Sequence, residues 1–518
     1  MDKTRRDFLK FLGVSTYTLS SLGALTSCQF SLTKDLSGKF PSLKDDLILI
    51  DGLHYYPIIS WGEKMNTTEE FGFNNDYITY HQLSDDDLLM WVNHEYANPL
   101  FIGGWERTKK NIDLERRTVG GSIIRVKKKD NKWTYIANDK YNKGVRADTP
   151  IPFANGVKIK GTNTAIGTCS NCAGGYTPWG TFLTCEENSH QNYGTRQLDG
   201  SVKTELVKWD LVYPHPPEHY GWVVEIEPKT AKAQKHINLG RFGHESATPI
   251  ISKSNHVVVY SGDDKADEHV YKFVSKTNKD FKAGVLYVAN LEQNKWLPID
   301  LELSPVLKKH FKNHVELMIN TREAAKMLGA TPLNRPEDIE IHPKTKDVYI
   351  TLTNNKKKGD MHGSILKISE NNNDHSSVEF QHETFKFGGD LSKFSCPDNM
   401  AFDQNGNLWL ATDISGDAIG KSPYKSFGNN GLFVIKTQGK QAGMVIQVAS
   451  APVDAEFTGL SFSPDQKTLF MSVQHPGELS KDIANPTSHW PSGNTPKPTV
   501  VAIEGKYLED LTQIKPSL

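Results

Sequence analysis

Residues 167–188 read GTCSNCAGGYTPWGTFLTCEEN, and the rest of the chain is organised around them. Cys169 and Cys172 stand three apart, followed by Gly174-Gly175, a Thr177-Pro178 turn, an apolar run from Trp179 to Leu183, and the adjacent acids Glu186 and Glu187. Thiolate suits iron or zinc, and paired carboxylates suit calcium, magnesium or iron. The two glycines let the backbone turn tightly or approach a ligand. Alone, the stretch has two readings: a metal site, or a β-hairpin with a buried cysteine pair and a solvated acidic end.

Its form recurs. Apolar strands closing on an acid, amide or similar polar residue run over 88–95, 179–187, 256–263, 347–354, 407–413 and 468–474. Turn sequences precede several of them, among them HPKTKD from His342, DQNGN from Asp403 and SPDQK from Ser463. The strand ends are 59 to 92 residues apart. A compact propeller blade takes about 40–45 residues, so six blades with insertions fill the chain. The predicted fold class is all-β, a six-bladed β-propeller with helical and loop insertions, as one domain over 45–518. A β-sandwich with extra domains is the alternative. One segment breaks the strand pattern: 305–328 has helical spacing, with Thr321 as a cap and Gly329 as a stop, running toward Arg335.

A polar motif also precedes most of the hairpins. In an antiparallel hairpin the start of one strand lies beside the end of the next. Around a propeller these ends converge on one mouth of the central channel. Glu245 with Asp263, Glu337 with Asn354, Asp398 with Asp413, and Glu456 with Gln474 are therefore expected to ring one opening, beside Cys172 and Glu187. Like charges 4–6 Å apart at an effective dielectric of about 20 cost a few kcal/mol per pair. Cations must neutralise such a ring, or protons must. Many oxygen donors with one sulfur suggest calcium for most positions and a softer metal, iron, at Cys172. Zinc is disfavoured, because His94 and His244 are the only histidine candidates. Several metals beside an arginine suit a phosphate ester. Arg335 is the candidate for binding a phosphoryl group by its planar fork; its alternative is a salt bridge to Glu337 or Asp338.

The composition fits. Net charge is −1, with no basic excess to suggest nucleic acid, and 40 glycines and 26 prolines favour short strands and tight turns. The N-terminus reads as an address. Thr4-Arg5-Arg6-Asp7-Phe8-Leu9-Lys10 has the twin-arginine form, and a mild apolar run over 11–25 follows, too short and polar to span a membrane. Leu25-Thr26-Ser27-Cys28 has the form of a lipobox, with Cys28 the acylated residue; a plain signal-peptidase site is the alternative. Residues 1–28 are thus expected to be the signal and 29–44 a flexible stalk. The protein is expected to leave through the twin-arginine translocase as a folded monomer. It should sit on the periplasmic side, touching a membrane only through a lipid anchor. In an exported protein, Cys169, Cys172, Cys185 and Cys396 would form disulfides by default.

The motifs from Asn171 to Gly180 and from Leu183 to Asn188 resemble those of the PhoX family of secreted bacterial alkaline phosphatases. So do GRFGHE from Gly240, YSGDD from Tyr260, RPEDIE from Arg335, Pro397-Asp398-Asn399, Leu408-Trp409 with Thr412-Asp413, and Glu456-Phe457-Thr458-Gly459. The resemblance implies a six-bladed propeller with an iron–calcium cluster in its mouth. In that family two ferric ions are bridged by an oxo group and a cysteine thiolate, with several calcium ions alongside. Carried over, Cys172 is the iron ligand, Glu245 and Glu337 are metal ligands, and Glu187 and Asp413 lie on the calcium side, with Asp398 and Glu456 completing the acid set. Arg335 contacts the phosphate, and the oxo or a hydroxo group attacks phosphorus. The implied activity is hydrolysis of small phosphomonoesters, releasing inorganic phosphate. A lipobox is not general in the family, and its motif does not require Cys169. Two other readings stay open: a calcium-dependent phosphodiesterase or lactonase on the same propeller, and a non-catalytic calcium-binding lipoprotein.

Overall fold

The strand Asp87–His94 is buried on both faces, and that dictates the architecture. Leu88, Met90 and Val92 pack with Ile59, Phe470 and Val500 on one side. Leu89 and Trp91 pack with Phe182 and Val224 on the other. Alternation along a strand sends neighbouring side chains to opposite faces, so an unbroken apolar run needs a sheet on each side. Every blade of a propeller meets that condition.

The computed structural model describes residues 39–512. The twin-arginine motif and Cys28 lie outside the described residues. Six antiparallel sheets follow one another along the chain. Their innermost strands are Asn75–Ser84, Asn171–Tyr176, Thr248–Ile251, Pro336–Ile341, Pro397–Phe402 and Glu456–Phe462. These strands touch in a closed ring, the last against the first. We number the blades one to six in this order; the fold is a six-bladed β-propeller. The ring is tied at its start. His54–Ser60 is the outer strand of blade six, paired with Thr499–Glu504, and Ile48–Leu49 extends blade five. The blades would otherwise end in unpaired edges.

Two expectations need correction here. Of the stretch 29–44 read as a flexible stalk, the described part is docked: Asn429 donates its backbone N–H to the Ser42 carbonyl at 2.8 Å and its side-chain amide to the Lys44 carbonyl at 3.1 Å. The described cysteines Cys169, Cys172, Cys185 and Cys396 are all free thiols, so the default disulfide reading does not hold. Cys185 belongs instead to the core of blades two and three.

The segment 305–328 is helical, as its spacing predicts, in three pieces: Pro305–His310, His314–Ile319 and Thr321–Leu328. Thr321 begins the last helix rather than capping it, while Gly329 stops it in the left-handed conformation at φ 78°. Leu307, Leu317, Met318, Ala324 and Ala325 bury this unit in the core. Among the described residues, no helix is long and apolar enough to cross a membrane.

Candidate metal centre in the propeller mouth

The start of five of the six inner strands follows one local plan. Asn74, Ser170, Arg335, Cys396 and Asp454 all take positive φ, between 48° and 62°. Two residues on stand Asp76, Cys172, Glu337, Asp398 and Glu456. In four of these blades the ladder register slips across that residue, between Asn75 and Ile78, Asn171 and Gly174, Pro336 and Ile339, and Pro397 and Met400. A left-handed residue followed by a bulge re-aims the next side chain, and both features cluster where function needs a fixed direction. The repeat thus turns one side chain from each of these five blades into the channel mouth, and Glu245 comes from blade three without it.

The mouth holds about 290 Å³ and is lined by Cys172, Glu187, Glu245, Glu337, Asp398, Asp413, Glu456 and Arg335, the metal-binding and phosphate-binding residues carried over from the family resemblance and the acid set. Glu95, Asp264, His475 and Glu478 join them. Three donor groups come within 4.8 Å of one another: Asp76 with Glu95 and Cys172; Cys172 with Glu187 and Glu245; Glu245 with Glu337 and Asp398. They share members, so they form one continuous patch. Cys172 Sγ lies 3.0 Å from Glu245 Oε1. Glu245 Oε2 and Asp76 Oδ1 are buried without a hydrogen-bond partner, although buried polar oxygens ordinarily have one. One thiolate among carboxylates with open lone pairs fits a group of hard cations with a softer one at the sulfur.

Electrostatics agree. Burial, then the charge of neighbouring acids, pushes Asp76, Glu187, Glu245 and Asp398 well above the usual carboxylate range. Burial also raises Glu95 to about 7 and Glu456 to about 8. The Cys172 thiol is driven up by burial and by Asp76, Glu245 and Glu95. Without compensating positive charge, burial favours the protonated form of these groups, with Glu95 close to half-protonated at neutral pH. Arg335 supplies one fixed charge. Its Nε and Nη2 reach Asp264 at 2.8 and 3.0 Å, and Nη2 also reaches Glu337 at 2.7 Å. Burial opposes ionisation of Asp264, but Arg335 overcomes it and holds that acid below its usual value. Nη1 of Arg335 has no partner among the described residues.

The expected hairpin pairings form, but not every member faces the mouth. Glu456 sits opposite Gln474, and Gln474 turns away to donate to Glu95 Oε2 at 2.8 Å. Asn354 leaves the mouth to donate to Cys396 Sγ at 3.6 Å. Asp263 is bound by Arg322 through Nε at 2.8 Å and through Nη2, behind the mouth. Its neighbour Asp264 takes the inward place, because consecutive side chains point to opposite sides. Arg335 pairs with Glu337 and Asp264, not with Asp338. His94 and His244 are structural: their rings bond to Ser122 and to Ser261 at 2.8 Å. The sequence reading missed Asp76, Glu95, Asp264, His475 and Glu478. Asp76 was findable, since Asn74-Asn75-Asp76 aligns in the repeat with Cys396-Pro397-Asp398. His475 was not, because only the fold brings its Nε2 to 3.1 Å from Glu456.

Gly174 and Gly175 serve the packing of blades. A Cβ at Gly175 would lie 2.0 Å from the Ala247 carbonyl oxygen, and one at Gly174 2.2 Å from that of Leu183. Gly175 lets blade three approach the strand that carries Cys172, while Gly174 makes room for Leu183 of the same blade and Tyr77 of blade one; the Ala173 N–H meets the Glu245 carbonyl at 2.9 Å across the seam with blade three.

The profile of the family described as alkaline phosphatase PhoX matches residues 37–477. Among solved structures, the chain is similar to Pseudomonas fluorescens PhoX in complex with vanadate, a transition state analogue. Identity there is 27%, covering 90% of this chain and 97% of that one, with a TM-score of 0.81. A protein of unknown function from Dyadobacter fermentans matches at 9% identity over 88% of this chain and 100% of that one, with a TM-score of 0.40. No curated protein matches the chain.

Proposed function

The chain belongs to the PhoX family of alkaline phosphatases, and from that premise we propose that it is an exported phosphomonoesterase whose mouth holds iron and calcium. The observation that carries this reading is the continuous donor patch through Cys172 and Glu245 with Arg335 beside it. The similarity to a PhoX solved in complex with vanadate, a transition state analogue, supports phosphatase action by this chain.

Cys172, with Asp76, Glu95, Glu187 and Glu245 around it, would hold the softer metal. Glu245, Glu337 and Asp398, with Asp413 and Glu456 nearby, would hold hard cations. When bound, such cations supply Lewis acidity toward phosphoryl oxygens and a nucleophile at neutral pH. The protein's own groups position the ester. Arg335 is held by Asp264 and Glu337 through Nε and Nη2, so Nη1, uncommitted among the described residues, stands ready for a phosphoryl oxygen. The Thr353 hydroxyl fixes Glu337 by donating at 2.7 Å to Oε1. Export by the twin-arginine route, acylation of Cys28 and a monomeric state on the periplasmic side belong to the same proposal.

Substrate profiling tests it. Metal-loaded protein should hydrolyse p-nitrophenyl phosphate and prefer it to bis-p-nitrophenyl phosphate. No turnover of the monoester, or a preference for the diester, would overturn the reading.

A further inference from the structure

The mouth has a neighbour that the reaction above leaves unused. A cleft of about 620 Å³ opens beside it, and Glu187 lines both. It is about twice the size of the mouth, within the range of about 300–1,000 Å³ that holds small organic molecules. Arg196, Arg241, Lys265 and Arg322 stand in its walls, with His190.

The charges there do not balance. Glu218 is taken by Arg196, at 2.9 Å from its Nε, and Glu323 stands at an exposed position within hydrogen-bond distance of His310, at 3.0 Å. Glu187 belongs to the donor patch of the mouth. Arg241 spends Nε and Nη2 on the carbonyls of Tyr220 and Pro217 at 2.7 and 2.8 Å, and forms no ion pair among the described residues. Burial lowers its pKa to about 10 against the opposing charge of Glu218, with Arg322 and Arg196 adding to the shift. Lys265 is exposed and has no ion pair among the described residues. Arg322 uses Nε and Nη2 on Asp263 and keeps Nη1. Burial, followed by the charges of Lys265 and Arg322, lowers the pKa of His190. Two unbalanced cations flank a space open to solvent. A phosphate dianion in the cleft would offset their charge, with Lys265 and the remaining Nη1 of Arg241 as donors.

We propose that this cleft is a leaving-group subsite, built for esters whose alcohol part carries a second phosphate. The reading rests on phosphatase action in the mouth. Lys265 directly follows Asp264, which holds Arg335, so subsite and phosphoryl site share one stretch of chain.

The test compares kcat/KM for fructose 1,6-bisphosphate and fructose 1-phosphate on metal-loaded protein. The bisphosphate should be favoured by about tenfold or more, the worth of one charge-assisted hydrogen bond. In Lys265→Ala, at an exposed position, that ratio should fall toward one, and in Lys265→Glu below the Ala value. A ratio near one in the unaltered protein, or one that neither variant moves, would overturn the subsite while leaving phosphatase action standing. Loss of turnover on both esters would strike the phosphatase reading instead. Calorimetric binding of fructose 1,6-bisphosphate then decides the subsite, by whether Lys265→Glu weakens it.

Discussion

Asp263 and Asp264 are adjacent and chemically identical, yet the strand end sends them to opposite tasks. Asp263 is fully buried against Arg322, and Asp264 holds Arg335 at the mouth. Their separation was not legible in the sequence, where either aspartate could close the apolar run 256–262. What was legible was chemical type: a thiol, several acids and an arginine at strand ends admit few other uses. The assignment predicts divergent variants. Asp263→Asn should lower unfolding free energy by about 2 kcal/mol, below the 3–5 typical of a fully buried pair, because Arg322 is one-third exposed. Its metal content should not change. Asp264→Asn should release Arg335 and lower kcat/KM by about tenfold or more, as loss of a positioned donor does. Denaturant unfolding, elemental analysis and steady-state kinetics on the two variants check this, and the reversed pattern would refute it.

At the scale of the element, the hairpin ends were readable and the bulges were not. An apolar run closing on an acid announces a strand end, and turn residues such as those of DQNGN announce the hairpin. A bulge is one extra residue in a pairing, visible only once both registers are known. The bulge beside Asp76 was therefore not readable, although the repeat position that it shares with Cys172, Glu337 and Asp398 was. The seam between blades two and three is the most tightly constrained part of this plan. Gly175→Ala would bring a methyl group to 2.0 Å from the Ala247 carbonyl oxygen, where only backbone movement can make room. We expect a loss of about 1–3 kcal/mol from overpacking, together with weaker metal retention as the strand carrying Cys172 shifts. Thermal unfolding and metal analysis read the two effects; unchanged values for both would show that the seam tolerates a side chain.

For the whole molecule, the sequence made the propeller legible through six strand ends, while its closure by residues 48–60 was not, because nothing local marks a first strand as the outer strand of the last blade. The ring pulls buried acids toward a common centre, and this has a pH signature. With metals stripped, Glu95 and Glu456 keep protons up to about 7 and about 8, whereas unfolded glutamate releases them near about 4.3. A raised pKa in the folded state contributes stability below the unfolded value, and that contribution is lost as pH rises through the folded values. The stripped protein should therefore melt several degrees lower at about pH 8 than at about pH 5, while the metal-loaded protein does not follow that trend. The central claim is that cations in this mouth are what make it a phosphatase. The most direct test measures iron and calcium per chain and p-nitrophenyl phosphate turnover on one preparation, before and after a chelator and after the metals are returned. We predict that both metals are present, that turnover disappears with them, and that it comes back on reconstitution. Full turnover in protein free of iron and calcium would contradict the account.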